Sequence, residues 1–157
     1  MKQKFSWRTH IRKAGKIVGL APMESITDSP FRQICRRFGA EVVFTEMISA
    51  DALVRRAEEA FKKLRFRRAE RPIVGQLVGN DPEVMAEGAR ILSEEVKVDG
   101  VDLNLACPAR TVIRKGGGGA WLKEPGEIPK LLNIVRRLSL IHISEPTRPR
   151  LISYAVF

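Results

Sequence analysis

Cysteine is scarce in this 157-residue chain: Cys35 and Cys107 stand far apart, with no CxxC pair and no cysteine–histidine pairing. Such spacing indicates neither a disulfide framework nor a zinc site, so no metal is expected. A reducing cytosol suits the chain best, and a cytoplasmic location is expected. Long apolar runs are missing too. The longest early one, Ile17 to Ala21, stops at Pro22, well short of the about 20 residues a membrane span needs and of a signal-peptide core. Membrane insertion and secretion are set aside. Acidic residues are outnumbered, 18 Asp and Glu against 28 Lys and Arg, a formal balance of +10. The length suits one domain, and with 44% hydrophobic residues the chain can bury a core, which excludes wholesale disorder. The positive balance favours a polyanionic partner such as a nucleic acid. A solvated basic surface explains it equally well.

Four β-branched or apolar runs recur: Ile17 to Leu20, Val42 to Thr45, Ile73 to Val78 and Val101 to Leu105, with starts 25, 31 and 28 residues apart. Each precedes a helix-like stretch. A parallel crossover needs a long connection that a helix fills, so the alternation predicts βαβ units on a parallel sheet. Ser29 is expected to cap the first helix with Pro30 at its first position. Phe31, Ile34, Cys35 and Phe38 then share an apolar face, which assigns Cys35 to core packing, and Gly39 ends the helix. Asp81 and Pro82 repeat that start before Met85, Ala89 and Leu92. Ile128, Leu131, Leu132, Val135 and Leu138 make a further stripe.

A closed (β/α)8 barrel, the TIM barrel, takes eight such units in about 250 residues, roughly 31 each. The unit length here matches a barrel and the count matches half of one. The expected architecture is therefore α/β, a TIM barrel truncated to about its first four βα units, with an open sheet carrying helices on both faces as the rival. Residues 1–138 are read as the N-terminal half of the barrel domain. Residues 139–157 are read as a non-native tail, because the run Ser139-Leu140-Ile141-His142-Ile143-Ser144-Glu145-Pro146-Thr147-Arg148-Pro149 resembles translated sequencing-adapter read-through and no complete βα unit follows; a genuine short strand and loop is the alternative.

The carboxyl ends of barrel strands share one face, where the active site forms. Four segments fall there: Ala21-Pro22-Met23-Glu24, Thr45-Glu46-Met47, Gly75-Gln76-Leu77 and Asn104-Leu105-Ala106-Cys107-Pro108. The second and fourth bring ionisable or nucleophilic groups to strand ends, and the third sets one amide in an apolar strand.

Taken in order, Ala21-Pro22-Met23 with Thr27-Asp28 and Pro30-Phe31-Arg32, Thr45-Glu46-Met47, Gln76-Leu77, Asp102-Leu103-Asn104 with Cys107-Pro108, and Lys115-Gly116-Gly117 with Gly119-Ala120 resemble the tRNA-dihydrouridine synthases. These are flavoenzymes that reduce uridine in tRNA. The resemblance runs from about Ile17 to Leu138 and covers the first half of that family's catalytic barrel. It implies FMN as cofactor, NADPH as reductant, tRNA as partner, and Cys107 as the general acid that protonates C5 of uracil while hydride reaches C6. Proton donation of this kind is worth about 10² to 10⁴ in rate. A buried structural cysteine is the competing reading, which the Asn104 to Pro108 context outweighs.

The resemblance sets Pro22, Met23 and Glu24 against the flavin and makes Gln76 a flavin contact, since an amide both donates and accepts; neighbouring strands alone would also satisfy Gln76. Asn104 either meets the uracil edge or ties down its loop. Glu46 either orients substrate or pairs with an arginine at the barrel mouth. Gly116 to Gly119 does not fit a Walker loop and reads as a mobile loop beside Cys107 that reshapes around a nucleotide. Arg110, Arg114 and Lys115 flank it as candidate tRNA phosphate contacts, with solubility as the alternative. Half of the net charge lies between Arg55 and Arg71, where eight Lys or Arg face three Glu; this cluster is assigned to tRNA backbone contact without sequence readout.

In the family, later strands supply a flavin-contacting lysine and histidine and the FMN phosphate loops, so this polypeptide alone is expected to bind FMN poorly and to lack turnover. Two alternatives stand beside the enzyme reading: a related flavin barrel acting on a free pyrimidine or enoyl-like substrate, and a non-catalytic RNA-binding module. The oligomeric state and the tRNA position modified are left open.

Overall fold

The computed structural model describes residues 17–138, and the tail expected at 139–157 lies outside the described residues. Four parallel strands form one sheet in sequential order, β1 Gly19–Leu20, β2 Val42–Ser49, β3 Ile73–Val78 and β4 Gly100–Leu103. A doubly wound open sheet reverses its strand order partway across. No reversal occurs among the described strands, so the sheet is the arc that a (β/α)8 barrel makes over four consecutive units. β3 has its expected span. β1 is shorter than its apolar run, and β2 continues through Ser49, so Glu46 and Met47 lie within the strand rather than beyond it.

The connections carry α1 Ser29–Arg37 after β1, α2 Ala50–Val54 and α3 Glu58–Lys63 after β2, and α4 Pro82–Arg90 after β3, which runs on as a π turn over Ile91–Val96. After β4 come α5 Arg110–Ile113, two 3-10 turns and α6 Ile128–Leu138. Asp81 caps α4 as expected, accepting the N–H groups of Glu83 and Val84 at 2.8 and 3.1 Å. At α1 the cap is Asp28, not Ser29: its carboxylate accepts the Phe31 N–H at 2.9 Å. A carboxylate also meets the helix dipole favourably. Ser29, the first helical residue, gives its hydroxyl instead to Glu70 at 2.6 Å.

Alternate residues of β3 serve different layers. A Cβ on Gly75 would lie 2.9 Å from Leu92, and Leu77 touches Gly88 of α4, so these positions face the helices. There Ile48, Leu53, Leu77, Met85, Leu92 and Leu131 form the core. Trp121 covers the end of β3, its indole N–H donating to the Gly79 carbonyl at 2.9 Å. The apolar stripe expected on α1 is not its buried face. Arg32 is fully buried, whereas Ile34 is half exposed, Phe38 is 88% exposed and Cys35 is only partly covered. A buried carboxylate, Glu70, draws Arg32 inward at 2.7 Å. One helix cannot turn both faces to the sheet, so Ile34 and Phe38 turn out.

Candidate active site

A bulge in β2 decides which side chains meet at the strand ends. Val43 and Phe44 pair with Ile73 and Val74, but Met47 pairs with Gln76, so Thr45 and Glu46 together oppose Gly75. Without the extra residue Glu46 would stand opposite Gln76. The bulge puts Met47 there and re-aims Glu46. Thr45, fully buried, satisfies the interrupted ladder: its hydroxyl accepts the Gln76 N–H at 3.1 Å and donates to the Glu46 carbonyl at 2.9 Å. Since Gln76 pairs in turn with Asp102, Met47, Gln76 and Asp102 form one row across three strands.

That row is hydrogen-bonded. The Gln76 amide donates to Asp102 Oδ2 at 2.6 Å and accepts from Asn104 Nδ2 at 3.1 Å, and Asn104 Nδ2 also lies 3.3 Å from Met47 Sδ. On its other side Asn104 Oδ1 accepts the N–H groups of Ala106 and Cys107 at 3.2 and 2.8 Å. Asn104 therefore ties down the cysteine loop, one of the two roles open to it, and joins that loop to Gln76. Burial pushes the Asp102 carboxyl above its ordinary value, against the opposing hydrogen bonds from Gln76 and the Leu103 backbone. Asp102 is a member of the site that sequence reading did not single out, because only register brings it to Gln76.

Cys107 is partly buried, and among the described residues its Sγ makes no hydrogen bond. Its carbonyl accepts the Gly119 N–H at 3.0 Å. Gly118, at φ +55, leaves no room for a side chain: a Cβ would lie 2.8 Å from the Cys107 carbonyl oxygen and 2.9 Å from both Cys107 Cβ and Val112. Gly117 and Gly118 are buried. Gly117 and Gly118 thus make a close-packed seat for the cysteine loop, while Gly116 is exposed.

Glu46 is 7% exposed and accepts the Ser25 N–H at 2.9 Å, with Lys63 Nζ at 3.7 Å. Among the described residues its cationic partner is this lysine, brought by α3, and no arginine. Lys63 also donates to Glu24. Burial would lower the Lys63 pKa, but the hydrogen bond and charge of Glu24 and the charge of Glu46 outweigh it and hold the ammonium above its ordinary value. Glu24 thus enters the site through an ion pair. Pro22 and Met23 are partly covered. Met47 stands opposite Gln76, and the Gln76 amide keeps one N–H and one acceptor lone pair spare, a pair of groups that fits the edge of a flat heteroaromatic ring.

A cleft of about 830 Å³ opens alongside, with Met47, Lys63, Asn80, Val112 and Lys115 in its walls. Arg110, Arg114 and Lys115 are exposed and make no ion pair among the described residues. The larger basic cluster differs. Arg55, Arg56, Lys62, Lys63 and Arg71 are paired with Asp51, Glu95, Glu58 and Glu59, Glu24 and Asp99 respectively, which leaves Arg65, Arg67 and Arg68 without a carboxylate partner among the described residues. Phe61 and Phe66 lie under Arg56 and Arg71, 5.8 and 4.9 Å from ring centre to guanidinium carbon, so they offer no stacking platform. Among the described residues no helix is long and apolar enough to cross a membrane.

The family model for dihydrouridine synthase matches residues 19–150. The chain is 36% identical over 118 residues to tRNA-dihydrouridine synthase B of Pseudomonas aeruginosa, covering 75% of this chain and 35% of that one. It is 39% identical over 121 residues to a probable tRNA-dihydrouridine synthase of Aquifex aeolicus, covering 75% and 38%. A probable tRNA-dihydrouridine synthase of Rhizobium leguminosarum is 40% identical over 108 residues, 69% of this chain and 33% of that one. The chain spans about a third of the length of these relatives. Its four-stranded arc is part of the TIM barrel of that domain, and a match over most of its length makes the chain a member of the dihydrouridine synthase family.

Proposed function

We propose that this chain supplies the first four strands' share of an FMN-dependent tRNA-dihydrouridine synthase, a cytoplasmic enzyme that reduces uridine in tRNA to 5,6-dihydrouridine with NADPH as reductant. Pro22, Met23 and Gln76 would hold the flavin ring, with the Glu24–Lys63 pair at its margin. Bound and reduced, the flavin supplies the hydride for C6 of uracil. Cys107 gives its thiol proton to C5, and solvent reprotonates the resulting thiolate. Asn104 fixes the height of that thiol by holding the Cys107 N–H, while Glu46, set by Ser25 and Lys63, faces the incoming nucleotide. Arg110, Arg114 and Lys115 take phosphates of the tRNA strand. One observation carries this reading: Asn104 bonds the flavin-side amide of Gln76 with its nitrogen and the acid's backbone with its oxygen.

Because the described residues build four strands, the isolated chain is expected to retain FMN weakly and to turn over no tRNA. A chimera in which residues 17–138 replace the matching segment of the Pseudomonas aeruginosa relative tests the site. It should form dihydrouridine in tRNA, and Cys107→Ala should cut the single-turnover rate by about 10² to 10⁴ with tRNA affinity unchanged. A chimera that reduces tRNA equally well without the thiol overturns the assignment of the acid. One that binds tRNA and never reduces it favours an RNA-binding module instead.

A further inference from the structure

We infer that Arg32 and Glu70 are positioning residues for the loop after β1, acting on Met23 through Thr27. The inference rests on the proposed function only in giving that loop to the flavin. Both side chains are 0% exposed. Arg32 uses its whole fork: Nε meets Glu70 Oε2 at 2.7 Å, Nη1 donates to the Thr27 carbonyl at 2.6 Å and Nη2 to the Arg65 carbonyl at 2.8 Å. Glu70 is equally committed, its Oε1 accepting from the Ser29 hydroxyl at 2.6 Å and the Arg67 N–H at 2.7 Å. The attraction in a buried ion pair is largely offset by desolvation. The effect of this pair lies in what it fixes, the backbone at Thr27 and the segment leading into β3.

Thr27 passes that constraint on. It is fully buried, and its hydroxyl accepts the Met23 N–H at 3.1 Å and donates to the Met23 carbonyl at 3.0 Å. Both backbone groups of Met23 thus close on one side chain. The loop needs outside support because residues 21–28 include no helix or strand, and Ser25 sits at φ +60, a left-handed conformation unfavourable for a non-glycine residue. The chain of contacts runs Glu70 to Arg32, Arg32 to Thr27, Thr27 to Met23. None of the first three touches the reacting atoms.

The test uses the full 157-residue chain carrying Thr27→Val, which removes the hydroxyl at constant shape, Thr27→Ser, which keeps it, and Arg32→Lys, which keeps the charge and loses the fork. Amide exchange is followed at Met23 and Thr27 and, as the global reference, at β3. Thr27→Val and Arg32→Lys should speed the loop amides by about tenfold with β3 unchanged, and Thr27→Ser should restore protection. Loop amides that exchange as in the parent, or loop and β3 amides that accelerate together in both Thr27→Val and Arg32→Lys, overturn the inference. Flavin content of the same variants in the chimera separates the two readings. Loss of FMN with Thr27→Val and recovery with Thr27→Ser extends the clamp to the cofactor. Unchanged FMN alongside faster loop exchange removes the flavin role of Pro22 and Met23 and leaves the clamp standing.

Discussion

Asp102 shows how one residue's surroundings set its chemistry. Burial holds its carboxyl above the ordinary value of 3.8, so the folded chain keeps this proton to a higher pH than the unfolded chain does. Between those two values unfolding releases a proton, and stability falls as pH rises through the window. Asp102→Asn cannot ionise and can still accept from Gln76. It should therefore melt higher than the parent above the window, the gain vanishing at pH below 3.8; thermal melts across pH measure it, and a gain that persists in acid contradicts it. The sequence set Asp102 within a recognisable motif but gave it no role, since only register sets it beside an amide. Arg32 was hidden for a related reason: in a helix with apolar residues at i and i+3, an arginine reads as the solvent side. Gln76 was legible as a single amide in an apolar strand, and Asn104 and Cys107 through the Asn104 to Pro108 context that follows a strand.

At the level of elements, the strand and helix pattern was readable because β-branched runs and proline-led helix starts are local signals. β3 and the start of α4 fall where those signals put them. The β2 bulge was not readable, since the apolar run stops at Thr45, short of the strand's end at Ser49, and the extra residue appears only against a partner strand. Thr45 makes that irregularity tolerable. Thr45→Val leaves the Gln76 N–H and one bond of the Glu46 carbonyl unmet, which should lower unfolding free energy by about 1–3 kcal/mol, with Thr45→Ser recovering most of it. Denaturant unfolding checks this, and a valine variant as stable as the parent would mean the bulge satisfies itself.

Across the whole molecule, the +10 charge is not spread as a count of lysines and arginines suggests. Among the described residues, five cations of the Arg55 to Arg71 cluster are matched internally, whereas Arg110, Arg114 and Lys115 beside the cysteine loop are not. In the chimera, replacing these three by Ala should flatten the dependence of log tRNA affinity on log salt by about 1 per cation removed. The same treatment of Arg55, Arg56 and Lys62, each already paired, should change it much less. Equal slopes for the two triple variants would show that internal pairing does not decide which cations reach RNA. The charge was visible in sequence, but its distribution was not, because each pairing joins residues whose separation depends on the fold.

The indole that caps β3 has a use of its own. Trp121 and Trp7 are the chain's tryptophans, and Trp121 is anchored to the Gly79 carbonyl in the 3-10 turn that begins at Gly118, behind the cysteine loop. In a Trp7→Phe background its emission becomes a built-in optical gauge: a red shift would report water reaching the seat of Cys107 before the rest of the chain unfolds.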